Sequence, residues 1–234
     1  MPQSTSEHIV SSYEEELTQL TRLISEMGGM VEEAVTSSIS ALVRVDHELA
    51  HKVAKNDKEI DARQRVIDEM AVSMIARRQP MASDLRRIVA SIHVATDLER
   101  IGDMAKNIAR RTLVISDKRL SPQLYTGVRH MSDLVLIQVA SSLENITTLD
   151  VEESIRICDV DDEVDSLYMS LFREFLTYMM EDPRNITDCT HLLFCAKNLE
   201  RCGDHATNIA EAAYYIQTGL NLADELDNRK QQLT

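Results

Sequence analysis

Apolar side chains recur every three to four residues along nearly the whole chain, which is the period of an α-helix that buries one face. Polar breaks and prolines divide this pattern into six long predicted helices: about 6–45, 46–79, 82–115, 122–149, 150–183 and from there to 219. Pro80 ends the second helix, because proline cannot continue the backbone hydrogen bonding of a helix. Only six glycines and four prolines occur in 234 residues, which leaves few turns for a many-stranded sheet.

The second half of the chain repeats the first. Residues 97–103 read DLERIGD and residues 198–204 read NLERCGD, while DKEID at 57–61 matches DDEVD at 161–165. Two matched segments in the same order indicate a duplicated unit. We therefore predict an all-α protein of two tandem, similar antiparallel three-helix bundles, with one mixed six-helix domain as the alternative. The predicted domains are residues 6–116 and 121–219, followed by a polar, frayed tail at 220–234.

Charge and cysteine usage narrow the possible functions. The net charge of −14 argues against a nucleic-acid partner, because binding to a phosphate backbone needs a positive surface. No signal peptide and no uncharged 18-residue stretch is found, so we expect a cytoplasmic protein without direct membrane insertion. The four cysteines lack metal-binding spacing, and we interpret them as small buried hydrophobic residues. No nucleotide-binding loop or nucleophile elbow is present.

The repeated acidic residues lie where a helix should be apolar. Glu99 and Glu200 continue apolar stripes of residues seven apart, and Asp103 and Asp204 follow one turn later. Gly102 and its counterpart in the second half would let another helix approach closely. Buried carboxylates need a nearby cation, and carboxylate oxygens suit Mg²⁺ or Mn²⁺ and tolerate iron. The predicted metal ligands also include the aspartates at i and i+4 on the second and fifth helices: Asp57, Asp61, Asp161 and Asp165.

An ordinary ion-pair interpretation of these acids stays open, in which they lie at the rim of the helix contact and pair with lysines and arginines. Arg100 and Arg201 directly follow the two glutamates, so they should project about 100° away and be poor partners for them. Arg77, Arg78, Arg86 and Arg87 form a basic island on an acidic protein, which is a candidate partner surface.

The paired LERxGD segments, the MGGMVE stretch at 27–32 and RQPMASDLR at 78–86 resemble the PhoU family over about residues 7–219. The resemblance implies two three-helix bundles, a homodimer, and metal sites on the eight acidic positions named above. It also implies a non-enzymatic negative regulator of high-affinity phosphate uptake and of the phosphate-starvation response. The implied partners are the ATPase subunit of the phosphate ABC transporter and the phosphate-sensing histidine kinase.

Two other functions remain open at this stage. One is a metal-dependent enzyme with a carboxylate-bridged centre in a helical bundle, although a redox di-iron site normally mixes histidine with carboxylate. The other is a helical scaffold that binds no metal, in which removal of the buried acids would leave partner binding unchanged.

Overall fold

The computed structural model describes residues 3–115 and 122–232, and the side chains of residues 13–115 and 122–229. These residues form helices and short connections, with no strand among them. The helices are α1 (Gln3–Arg44), α2 (His47–Arg78), α3 (Ala82–Thr112), α4 (Pro122–Thr148), α5 (Val151–Glu181), α6 (Ile186–Thr218) and α7 (Leu222–Gln232), with a 3₁₀ turn at Pro183–Asn185. The six long helices are confirmed. The predicted connection at 116–122 lies outside the described residues, except that its proline begins α4.

The repeat extends to the connections that precede α2 and α5. Asp46 caps α2 by accepting a hydrogen bond from the backbone N–H of Leu49 at 2.9 Å, and Asp150 caps α5 in the same way. Each cap follows a residue with left-handed backbone, Val45 at φ 51° and Leu149 at φ 55°. A side-chain oxygen at this position satisfies a backbone donor that the first helical turn leaves free. The two bundles therefore begin their second helix with the same geometry.

The three helices of each half pack against one another, and α3 contacts α6 while α1 contacts α4. One continuous apolar cluster runs through both halves, so the two bundles share a core. The predicted fold of two tandem, similar three-helix bundles is confirmed. Its short connections make successive helices antiparallel, which places α2 against α3 and α5 against α6.

The C-terminal residues differ from the predicted frayed tail. Residues 222–232 form α7, and Leu222 is fully buried against Ile155 and Tyr214. Arg229 adds an ion pair with Glu152 at 2.9 Å between Nη2 and Oε1. Leu222 and the partly buried Leu226 thus pack this polar helix against α5 and α6, and burial of a leucine contributes roughly 2 kcal/mol.

The cysteines are thiols, and three of them, Cys189, Cys195 and Cys202, are buried in α6. Burial raises the pKa of Cys195 to about 12, which keeps it protonated at neutral pH. These residues act as small apolar side chains in the helix contact. Among the described residues, no helix combines the length and apolar character needed to cross a membrane.

Intramolecular contacts occupy much of the basic island between α2 and α3. Glu16 of α1 pairs with Arg77 at 3.3 Å and with Arg78 at 3.1 Å. Arg86 packs beside Gly219, and Arg87 donates a long hydrogen bond of 3.4 Å to the Thr21 hydroxyl. These arginines therefore make contacts within the chain that stabilise this end of the bundle. They are less available to bind a partner than the sequence suggested.

The Glu16 pairing makes stability depend on pH. The hydrogen bond from Arg78 lowers the pKa of Glu16 in the folded chain. A carboxylate with a lowered folded pKa stabilises the fold above its unfolded pKa of about 4.3, and this contribution is lost as the pH falls through the folded value. We expect Glu16→Gln to lower the midpoint of thermal unfolding at pH 7, with the difference disappearing at acid pH. Calorimetry at several pH values measures this, and a difference that stays constant into the acid range would contradict it.

Adjacent glycines in α1 have opposite environments. A Cβ on Gly28 would lie 2.6 Å from Leu143 Cδ1 of α4, whereas a Cβ on Gly29 meets nothing within 4 Å. Gly28 therefore permits the close approach of α1 and α4.

The two glycines give a matched pair of variants. We expect Gly29→Ala to stabilise the protein by about 1 kcal/mol through helix propensity. Gly28→Ala should be less stable than Gly29→Ala by about 1–3 kcal/mol, because Leu143 must move. Chemical denaturation compares the two, and equal stabilities would contradict the close contact of α1 and α4.

Candidate metal centre

The first carboxylate group lies where α2 packs against α3. We call Asp57, Asp61, Glu99 and Asp103 the N-terminal cluster. Gly102 sits over Ile60, with the position of a Cβ only 3.0 Å from Ile60 Cδ1, so the two helices approach closely at this level. The Asp57 side chain is 7% exposed and that of Glu99 is 21% exposed. Asp57 of α2 and Glu99 of α3 thus both lie largely shielded from solvent beside this apolar contact.

Electrostatic coupling joins the four acids of this cluster. Burial raises the pKa of Glu99, and the negative charges of Asp103, Asp61 and Asp57 raise it further. Arg100 acts in the opposite direction, since its Nε lies 3.7 Å from Glu99 Oε2. The prediction that Arg100 is a poor partner was wrong to this extent, because the long side chain bends back towards the preceding residue.

Lys106 supplies the positive charge of the N-terminal cluster. Its ammonium group donates to Asp57 Oδ2 on α2 at 2.6 Å and to Asp103 Oδ1 on its own helix. The lysine side chain is only 18% exposed, so solvent screens these contacts weakly. One ammonium group therefore bridges carboxylates on two helices, in partial agreement with the ordinary ion-pair interpretation.

The second carboxylate group occupies the same level of the other half, between α5 and α6. We call Asp161, Asp165, Glu200 and Asp204 the C-terminal cluster. Burial raises the pKa of Asp161, a hydrogen bond from Gln138 acts to lower it, and the charges of Asp204, Asp165 and Glu200 raise it. These four acids are thus also within electrostatic reach of one another. Asp165 and Asp204 are exposed, so this cluster opens to solvent on one side.

Polar groups around the C-terminal cluster differ from those in the first half. Gln138 of α4 is 1% exposed, and its Nε2 donates to Asp161 Oδ1 at 3.1 Å and to Thr207 Oγ1 at 3.2 Å. Lys197 donates to Glu200 Oε1 from the same helix, and its side chain is 45% exposed. Glu200 Oε2 and Gln138 Oε1 are buried without a hydrogen-bond partner.

One known domain family matches each half of the chain separately, in agreement with the duplication seen in the fold. The PhoU domain matches residues 24–112 and again residues 128–213. The chain belongs to the PhoU family. A Rhizobium meliloti protein named phosphate-specific transport system accessory protein PhoU homolog is 53% identical over 212 residues, covering 91% of this chain and 90% of that protein. A Caulobacter vibrioides protein of the same name is 46% identical over 220 residues, covering 94% and 96%.

Solved PhoU structures share the fold. The crystal structure of PhoU from Pseudomonas aeruginosa matches with a TM-score of 0.85 and 39% identity, covering 89% of this chain and all (100%) of that one. The phosphate transport system regulatory protein PhoU from Streptococcus pneumoniae matches with a TM-score of 0.83 and 28% identity, covering 89% and 98%. Both PhoU units of the present chain thus have experimentally determined counterparts.

The donor atoms of this PhoU chain suit a hard cation. Each cluster offers four carboxylates, and the second adds the buried amide oxygen of Gln138, which lacks a donor. As the side chains stand, no three aspartate, glutamate, histidine or cysteine residues of the described ranges are arranged to hold one ion. The carboxylates would therefore have to rotate towards a shared ion, and Lys106 would have to leave Asp57 and Asp103.

The contact between the two PhoU units contains polar residues whose pairing the sequence pattern did not predict. Asp97 of α3 accepts a hydrogen bond at 3.1 Å from Asn208 of α6, and His205 Nδ1 lies 2.9 Å from the same Asp97 oxygen. Asn208 thus faces the other bundle.

The two lysines should contribute unequally to stability without metal. We expect Lys106→Met to destabilise the protein by roughly 2 kcal/mol in chelator-treated buffer, because it leaves Asp57 and Asp103 without their shared donor. Lys197→Met should cost less than about 1 kcal/mol, because that pair is more exposed. Denaturant titration of the two variants measures the difference. An equal loss in both would contradict the bridging role of Lys106.

Proposed function

We propose that this protein is a cytoplasmic regulatory adaptor that restrains high-affinity phosphate uptake and the phosphate-starvation response when phosphate is plentiful. The observation that carries the proposal is the PhoU domain match in both halves, together with relatives named as accessory proteins of phosphate-specific transport. The adaptor would act on the ATPase subunit of the phosphate ABC transporter and on the phosphate-sensing histidine kinase, as a homodimer and without catalysing a reaction.

Bound divalent metal is the second part of this proposal. The eight acids of the two clusters would hold Mg²⁺, Mn²⁺ or iron through carboxylate oxygens alone. A cation would neutralise the repulsion that raises the pKa values of Glu99 and Asp161. The chemistry it supplies is structural, because it would fix α2 to α3 and α5 to α6 and so define the outer surface of each bundle.

Elemental analysis tests the metal sites directly. We expect near-stoichiometric divalent metal in gently purified, untagged protein and its loss in the variant Glu99→Gln, Asp103→Asn, Glu200→Gln, Asp204→Asn. The matched control removes four exposed acids outside the clusters: Glu69→Gln, Asp133→Asn, Glu144→Gln and Glu181→Gln. It changes the net charge by the same amount and should keep its metal. Equal metal loss in both variants would show attraction by overall charge and not by a site.

Regulation needs a separate experiment in cells that lack their own copy of this gene. We expect the wild-type chain and the charge-matched control to repress phosphate uptake and a starvation reporter in phosphate-rich medium. The cluster variant should fail to repress although it remains helical by circular dichroism. If all three proteins repress, the carboxylates of the clusters are not needed for regulation. If none of them represses, the proposed regulatory function is overturned. Saturable oxygen consumption by iron-loaded protein would instead favour the enzyme alternative.

A further inference from the structure

The two clusters repeat their carboxylates but not the residues around them. Three positions after the matched aspartates Asp103 and Asp204, α3 has Lys106 and α6 has Thr207. Twelve positions before the matching caps Asp46 and Asp150, α1 has Ala34 and α4 has Gln138. The first half thus places a half-buried lysine between the carboxylates of two helices, whereas the second half places a neutral amide and a hydroxyl there. The lysine beside the carboxylates of the second half, Lys197, is more exposed and, among the described residues, hydrogen-bonds only Glu200 of its own helix.

In the N-terminal cluster, Lys106 takes the position that a bridging cation would need. Its ammonium group lies between one carboxylate of α2 and one of α3, both within hydrogen-bond distance. Ala34 is too short to reach these acids, and it lines a groove together with Asp57 and Gly102. The acids here already have a counter-charge, and an incoming ion must displace it.

In the C-terminal cluster, two buried oxygens, Gln138 Oε1 and Glu200 Oε2, have no hydrogen-bond donor. A Cβ on Gly203 would lie 2.8 Å from Asp161 Oδ1 and 3.0 Å from Gln138 Oε1. The Asp161 and Gln138 oxygens therefore both lie beside this glycine. Gln138 Oε1 has no hydrogen-bond partner, although the Gln138 side chain is almost fully buried. The Glu200 Oε2 atom is also buried and also has no hydrogen-bond partner. Unsatisfied buried acceptors are costly, and a hard cation satisfies them.

We propose that the C-terminal cluster is the tighter of two cation sites, with the Gln138 amide oxygen as an additional ligand, and that Lys106 serves as an internal counter-cation in the N-terminal cluster. This inference rests on the proposed metal function and refines it, because the two sites then fill in order. Divalent cations occupy the C-terminal bundle first, and the N-terminal bundle responds only at higher concentration.

A reciprocal exchange of Lys106 and Thr207 tests the order. Each cluster is studied alone in the full chain, with the other disabled by Glu99→Gln and Asp103→Asn or by Glu200→Gln and Asp204→Asn. Binding of Mn²⁺ is followed by the electron paramagnetic resonance signal of the free ion. We expect Mn²⁺ to bind the C-terminal cluster about tenfold more tightly than the N-terminal one. The N-terminal cluster must release Lys106 from carboxylates on two helices, whereas the more exposed Lys197 bonds one residue of its own helix, Glu200.

The exchanged variants should reverse this order. Lys106→Thr should tighten Mn²⁺ binding by the N-terminal cluster about tenfold, and Thr207→Lys should weaken binding by the C-terminal cluster to a similar extent. Gln138→Ala should weaken only the C-terminal site. If Lys106→Thr unfolds the protein, Lys106→Gln retains a donor while removing the charge, and the same tightening is expected.

The outcomes separate this inference from the function on which it rests. Mn²⁺ binding by the unsubstituted chain with no effect of the Lys106 or Thr207 exchange would overturn the inference alone. Tighter binding by the N-terminal cluster would also overturn it. An unsubstituted chain that binds no Mn²⁺ would overturn both the inference and the proposed metal function.

Discussion

Each half of the chain buries carboxylate oxygens beside an apolar helix contact, and these oxygens need positive charge close by. Close approach of the helices creates this requirement, because Gly102 and Gly203 bring α3 and α6 directly against the helices that carry the facing aspartates. The same approach removes water that would otherwise screen the acids. Helix packing and counter-charge are therefore coupled at both clusters, because the helices that approach closely also carry the carboxylates.

The helices that carry the glutamates also form the contact between the two bundles. One face of α3 carries Glu99 and Asp103, and another face packs on α6 through Asp97 and its neighbours. Since the apolar core is continuous across this contact, the two clusters are mounted on one rigid central pair of helices. The outer helices α2 and α5 are the parts that a cation would attract or release.

The apolar period and the duplication were sufficient to predict the six long helices and their order, because these depend on spacing along the chain. The same duplication selected the eight acids, whose metal binding stays a prediction. The reach of long side chains was not predictable in the same way. Lys106 and Arg100 contact carboxylates by bending along the helix, and Gln138 contacts Asp161 from a third helix. Spacing contains no information about such contacts, although the Lys106 and Thr207 mismatch between the repeats was visible in the sequence. The buried Leu222 that holds α7 was missed because its neighbours are polar.

At the contact between the two halves, helices pack against their counterparts in the repeat: α3 contacts α6, and α1 contacts α4. That is the geometry of a two-fold symmetric dimer, in which the same surface of each subunit faces its copy. The two halves have nonetheless diverged in sequence. The Asp97–His205 contact records such divergence, because Asn198 and Met104 stand at the symmetry-related positions. A fused chain can thus carry two different clusters on one symmetric frame, which an identical pair could not.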